Sequence, residues 1–190
     1  MWSRRCAALT GLVVSACAQL PPEREVLASF TLAGGRGELG AKGWSDYDER
    51  PLLSVGCSAR PRTAPVGLEF TAQGTHSETK ESTDERGVDV FDFRLGAGRD
   101  FELTSWLRLV GGLGLRAATA EVETTGTFAP KTESDASFGA YAHVGLYVHV
   151  QGTFSLGCDA QWADGGDYEI AGRERDAGMS ALLIALRWDV

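Results

Sequence analysis

Residues 137–150 read SFGAYAHVGLYVHV and alternate without a break. One parity carries Phe138, Ala140, Ala142, Val144, Leu146, Val148 and Val150. The other carries Ser137, Gly139, Tyr141, His143, Gly145, Tyr147 and His149. Side chains of a strand point to opposite faces with period two, so the stretch predicts a strand with one apolar face and one polar or small face. In a soluble antiparallel sheet the apolar face packs on a core. Here the same pattern returns in about eight segments, and the chain holds nothing else to cover so many apolar faces. A lipid bilayer is the partner this implies.

Working outward, seven further segments alternate in the same way. They are predicted near residues 26–34, 52–60, 66–73, 88–98, 105–120, 152–162 and 178–190. Their apolar rows include Val26, Ala28, Phe30 and Leu32; Leu53, Val55, Cys57 and Ala59; Phe91, Phe93 and Leu95; Leu113, Leu115 and Ala117; and Leu182, Ile184, Leu186, Trp188 and Val190. The connections sort by length. Those over 35–51, 74–87, 121–135 and 163–177 are long and polar, whereas those over 61–65, 99–104 and 151–152 are short. Long and short alternate with strand direction, which gathers the long loops at one end. Phe91, Phe138 and Trp162 stand beside the long loops on the apolar parity, with Phe154 and Trp188 near the other end, as two aromatic girdles would.

Charge follows the same axis. The last three long connections hold thirteen acids against five bases, a net −8 that equals the formal charge of the whole chain. These connections are read as solvated, acidic loops, and the balance does not suggest nucleic-acid binding. Apolar residues make up 43% and mean hydropathy is −0.13. Such averages do not separate a soluble protein from a membrane barrel, which hides its hydrophobicity in every second residue.

The N-terminus reads as an export segment. Arg4 and Arg5 precede an apolar run from Cys6 to Val14, followed by small residues. Two cleavage readings stand: after Ala18, giving a signal peptide over 1–18, or before Cys17. The run Val14-Ser15-Ala16-Cys17 resembles a bacterial lipobox, which implies a lipidated Cys17 after a signal over 1–16. Residues 19–25 then form a short lead and 26–190 one barrel domain. Cys57 and Cys158 fall on distant strands and are predicted free. No cysteine or histidine spacing points to a metal, and no cofactor is implied.

The last strand resembles the C-terminal signal of bacterial outer-membrane proteins, with alternate apolar residues ending at the final one; Val190 stands where an aromatic usually closes the chain. From Val26 to Val190 the chain resembles small eight-stranded outer-membrane barrels of the OmpX type or the OmpA membrane domain. The resemblance implies an eight-stranded antiparallel up-and-down transmembrane β-barrel in the bacterial outer membrane. It also implies partners: outer-membrane lipids, the barrel-assembly machinery through the C-terminal strand, and an extracellular ligand through the long loops.

An eight-stranded barrel has an interior that side chains fill. The inward parity supplies Glu69, Asp92, Arg94, Arg108, Arg116, His143, Asp159 and Arg187, with Tyr141, Tyr147, His149, Gln161 and Asp189. Charges confined there must pair or stay hydrated, so a polar plug is expected, with Glu69 or Asp92 partnering Arg94 or Arg108. A lipid hydrolase would need Ser, His and an acid on the outer wall. His143 and His149 are read as inward and His76 as part of a loop, so no catalytic residue is assigned. The favoured reading is a non-enzymatic barrel with a structural, adhesive or surface role. A narrow conduit and an exported lipocalin-like barrel that binds an apolar ligand are the alternatives.

Overall fold

A computed structural model describes residues 26–40, 44, 49–81, 84–125, 131–170 and 173–190; the export segment and Cys17 lie outside them. The alternating segments become β1 (Val26–Leu39), β2 (Glu49–Pro61), β3 (Gly67–Glu81), β4 (Asp84–Glu102), β5 (Leu107–Thr125), β6 (Lys131–Gln151), β7 (Phe154–Gly165), β8 (Asp167–Ile170), β9 (Arg173–Asp176) and β10 (Met179–Asp189). Eight of them close into an antiparallel barrel in the order β1-β10-β7-β6-β5-β4-β3-β2, and β8 and β9 form a separate hairpin. Gly152, at φ 61°, takes the left-handed conformation that lets β6 turn tightly into β7.

Register fixes the size of the barrel. From Ser29 the partners run through Ser58, Glu69, Gly96, Gly114, Tyr141 and Ala163 to Met179, yet Ser29 itself faces Asp189. The circuit therefore returns ten residues away on β10. A stagger of that order tilts eight strands by roughly 40°.

The outward row is the apolar one. Leu113, Leu115 and Phe138 are 68%, 73% and 75% exposed, whereas Arg94 and Arg116 are buried. That orientation overturns the lipocalin-like alternative, which needs apolar residues inside. The outward band runs from Phe91, Phe138 and Trp162 at one end to Phe154 and Trp188 at the other. Trp188 stacks on Phe30 with ring centroids 5.6 Å apart. No disulfide joins Cys57 to Cys158.

The long connections correct the sequence reading. They are not merely solvated loops: β3 continues to Glu81, β4 begins at Asp84, β5 continues to Thr125, β6 begins at Lys131, and the fourth connection folds as β8 and β9. Glu121, Glu123, Glu133 and Asp135 therefore sit on strands. The physical reason is a change of sign in the pattern. Beyond the aromatic row the inward parity turns apolar, with Val88, Val90, Ala118, Ala120 and Val122 buried. The outward parity turns polar with Asp89, Glu121 and Glu123. Alternation, and hence the strand, persists through the reversal.

Candidate functional site

Inside the barrel the charges form tiers. Nearest the short-turn end, Arg187 reaches from β10 to Asp100 on β4, with Nη2 2.5 Å from the carboxylate. The two strands lie opposite one another in the barrel order, so this pair spans the lumen. Arg187 Nε also donates to Asp189 at 3.1 Å, and Arg108 from β5 donates to Asp189 at 2.7 Å and lies 3.6 Å from Asp100.

The middle tier is built on Glu69. Tyr141 donates its hydroxyl to Glu69 at 2.7 Å, and His143 Nε2 lies 3.2 Å from the same carboxylate. The other ring nitrogen of His143 is 3.0 Å from Asp159, which also accepts from the Tyr147 hydroxyl at 3.4 Å. Glu69 must cross the lumen to meet its partners, and glycines on β4 and β5 leave the space. A Cβ at Gly98 or Gly112 would overlap the Glu69 carboxylate.

The third tier is centred on Asp92. One of its oxygens accepts from Arg94 Nη2 at 3.0 Å, Arg116 Nε at 2.9 Å and Gln73 Nε2 at 3.1 Å. Arg94 Nη1 then donates to Gln161 on β7 at 2.7 Å. Asp92, Arg94 and Arg116 are each no more than 3% exposed. A buried charge without a partner costs several kcal/mol, so these groups are held together by necessity.

Above Asp92 the lumen becomes apolar. Trp44, Tyr168 and Ile170 are buried in one cluster with Val88, Val90, Ala118, Ala120 and Val122. Trp44 donates from its indole nitrogen to the Asp176 carbonyl at 2.7 Å. The guanidinium carbons of Arg50 and Arg175 lie 5.0 and 4.7 Å from its ring centre, within cation–π range. The β8–β9 hairpin is tied down at its base. The Glu169 amide donates to Asp135 at 2.7 Å and the Ser137 hydroxyl to the Gly166 carbonyl at 2.9 Å. Arg116 Nη1 donates to the Ala177 carbonyl. The Glu169 amide, with that of Ala136, holds the Asp135 carboxyl below its ordinary range. Burial first of all, with Asp92 and Asp135 adding, pushes the Tyr168 hydroxyl up to about 12.

Below this cap a cavity of about 540 Å³ remains, open at the short-turn end. The charged tiers rise mainly from β4 to β7 and β10, whereas β1 to β3 present small residues such as Thr31, Ser54, Gly56 and Thr71 to the space.

The eight lumen residues named from the sequence fall into these tiers. Arg94 meets Asp92, but Arg108 meets neither Glu69 nor Asp92, and pairs with Asp100 and Asp189. Asp100 escapes a reading that ends the strand at Gly98. Its signal is that the even parity of Asp92, Arg94, Gly96 and Gly98 simply continues. Trp44, Arg50, Tyr168 and Arg175 are invisible to strand patterning because all four fall in connections read from the sequence as loops, although Arg50, Tyr168 and Arg175 sit on β2, β8 and β9. His149 is exposed at the short-turn end, away from the tiers. His76 corrects the loop reading: it lies on β3, facing outward, 2.7 Å from Asp89 with both about half-exposed. In register its row continues to Glu121 and Ser134. Ser134 is three strands from His76, roughly 14 Å, beyond hydrogen-bond reach of the His76 ring.

The family described as outer membrane protein beta-barrel domain matches residues 6–178. No curated protein matches by sequence. Among solved structures, Ail, the attachment invasion locus protein of Yersinia pestis, in complex with the heparin analogue sucrose octasulfate, superposes with TM-score 0.56 at 13% identity, over 87% of this chain and 97% of that one. Neisserial surface protein A gives 0.57 at 13%, over 86% and 96%. A major outer membrane protein from Thermus thermophilus gives 0.58 at 12%, over 86% and 99%. At these identities the likeness is one of fold.

Proposed function

For a chain that belongs to the outer membrane protein β-barrel domain family, and so sits in the bacterial outer membrane, we propose a sealed, non-enzymatic barrel that displays a rigid acidic sheet to the outside. The observation that carries this reading is the extension of β3, β4, β5 and β6 past the aromatic girdle. The pairing of β4 with β5 runs on to Glu85 and Thr125, and that of β5 with β6 to Thr124 and Lys131. On β3 the pairing with β2 stops at Thr75. Among the described residues, His76–Glu81 therefore carry an edge that β2 does not cover. Such an edge offers backbone groups to a partner strand.

The partner chemistry follows from charge. Glu121, Glu123 and Asp164 are exposed on or beside this sheet, and the chain is acidic. A basic protein surface suits it better than a polyanion such as the ligand bound to Ail. Attachment of a non-adherent bacterium that expresses the protein to surfaces coated with basic and acidic proteins tests this. Glu121→Lys with Glu123→Lys is expected to abolish preference for the basic coat. Attachment equal to that of cells without the protein would leave the structural role alone.

The three tiers and the apolar cap support a plugged lumen over a narrow conduit, and steady large conductance in planar bilayers would refute it. The distance from His76 to Ser134 supports a non-enzymatic role. We read the apolar row ending at Val190 as the element the assembly machinery recognises. Export by the N-terminal segment leaves either Cys17 acylated or cleavage after Ala18. Mass spectrometry of the mature N-terminus separates the two.

A further inference from the structure

The cavity beneath the cap has two unlike walls. On β1 to β3, Thr31, Ser54 and Thr71 carry hydroxyls that take no hydrogen bond from a described residue, and Ser54 is only 5% exposed. Glu69 reaches from β3 over to Tyr141 and His143 on β6, with two hydrogen-bond partners there and an acceptor capacity of about four lone pairs, and across from the hydroxyls stands the guanidinium of Arg108, a quarter exposed. Ala33 and Val110 add apolar surface between.

Charge on the lining balances. Five arginines and five acidic side chains border the space. A charged solute would meet arginines and carboxylates already paired with one another, and would pay the desolvation cost that buried charge carries. Hydroxyl groups match what is offered: they donate to carboxylates and accept from guanidinium, serine and threonine. The volume, about 540 Å³, falls within the ~300–1,000 Å³ of small-molecule pockets. The opening lies at the end holding Leu27, Arg60 and Val190, while the cap of Trp44, Tyr168 and Ile170 closes the other end.

We propose that this chamber is a blind binding site for a small neutral polyol, of monosaccharide size, which enters from the periplasmic side. Nothing passes through, because the Asp92 tier and the cap stand above the site.

Titration of the isotopically labelled protein in lipid nanodiscs with sorbitol, followed by amide NMR, tests the proposal. Saturable shifts are expected at Thr31, Ser54 and Thr71, with glutamate and arginine, as charged probes of similar size, binding roughly tenfold more weakly. Ser54→Leu fills the chamber and is expected to weaken sorbitol binding roughly tenfold, and Thr71→Val, which keeps the shape but removes the hydroxyl, several-fold. Heat-modifiable gel mobility establishes that each variant is folded, and Thr71→Val keeps the test alive if Ser54→Leu is not. Shifts that grow linearly without saturation, that persist unchanged in the folded variants, or that centre on β8 and β9 would overturn the proposal, as would tighter binding of either charged probe.

Discussion

β5 is two proteins in one strand. Over Leu113, Leu115 and Ala117 its outward face is apolar and its inward face holds Arg116. A few residues on, Glu121 and Glu123 face outward while Ala118, Ala120 and Val122 are buried inside. Hydrogen bonding and side-chain parity run through unchanged, since β4 pairs with β5 without a register break from Glu102↔Arg108 to Glu85↔Thr125. Only the surroundings differ. In the bilayer apolar side chains lose nothing by facing out, so polar groups collect inside. Above it, water takes the outer face and the hydrophobic effect drives apolar groups inward. Alternation therefore reports a strand, and its sign reports the solvent.

The largest test of that contrast compares two aspartates on β4. Asp92 faces the lumen and is surrounded by Arg94 and Arg116. Asp92→Ala leaves two buried guanidiniums without their carboxylate, and a loss of about 3–5 kcal/mol is expected. Asp89, three residues away, faces water beside His76. Asp89→Ala is expected to cost less than about 1 kcal/mol, as for exposed ion pairs. Urea unfolding in lipid vesicles measures both. Equal losses would mean that the two halves of β4 are not differently solvated.

A second test stays on the outward face of β5. Leu115→Arg puts a cation at mid-belt, with an expected cost of about 2–4 kcal/mol. Glu121→Arg, six residues along the same face, is expected to change stability by under about 0.5 kcal/mol. If Glu121→Arg proved as harmful, the bilayer would extend past the aromatic row of Phe91 and Phe138, and the sign change would need another cause.

The third test asks whether the two halves are separable. Ile170→Ala removes buried apolar volume from the cap, at about 2 kcal/mol, the low end for such truncations. The loss is expected to fall on the hairpin, read as faster proteolysis over β8 and β9. No conductance is expected, because Arg94 and Gln161 still bridge the lumen below. Channel opening in this variant would show that the cap alone seals the barrel.

How far the sequence could be read follows from the same physics. The staves were legible because their alternation is long and their outward residues are uniformly apolar; Phe138 to Val150 alone establishes the parity. The inward charges were legible for the same reason, as was their pairing where partners sit close on β4, as Asp92 and Arg94 do. The cap was not. Val88 and Val90 lie within the strand predicted over 88–98 and share a parity with Asp92, but a reading that assigns one polarity per face gives apolar residues on the inward parity no meaning. Trp44 and Tyr168 arrive from long connections read as polar loops, and the burial of one aromatic in each leaves little periodic trace. Asp100 was lost to a boundary two residues short, and with it the partner of Arg187.

The smallest effect is a pH dependence confined to the projecting half. Asp135 has its folded value lowered beneath the ordinary 3.8, chiefly by the Glu169 amide. A depressed carboxyl stabilises the docked hairpin at pH above its unfolded value, and that contribution fades as pH falls through the folded one. Tyr168 works in the opposite sense. Its hydroxyl is raised from 10.0 to about 12, so above pH 10 the undocked hairpin gives up a proton that the docked one keeps, and docking weakens from there to about 12. The hairpin is thus expected to hold best between these limbs. The Glu169 amide shift should report the acid step, lost in Asp135→Asn, while Tyr168→Phe should remove the alkaline step alone. Belt residues such as Leu115 should report neither limb, because the hairpin docks on the projecting sheet and the staves below keep their own tiers. A matching acid step at Leu115 would mean that cap and barrel open together, and the two solvents would then enclose one cooperative unit.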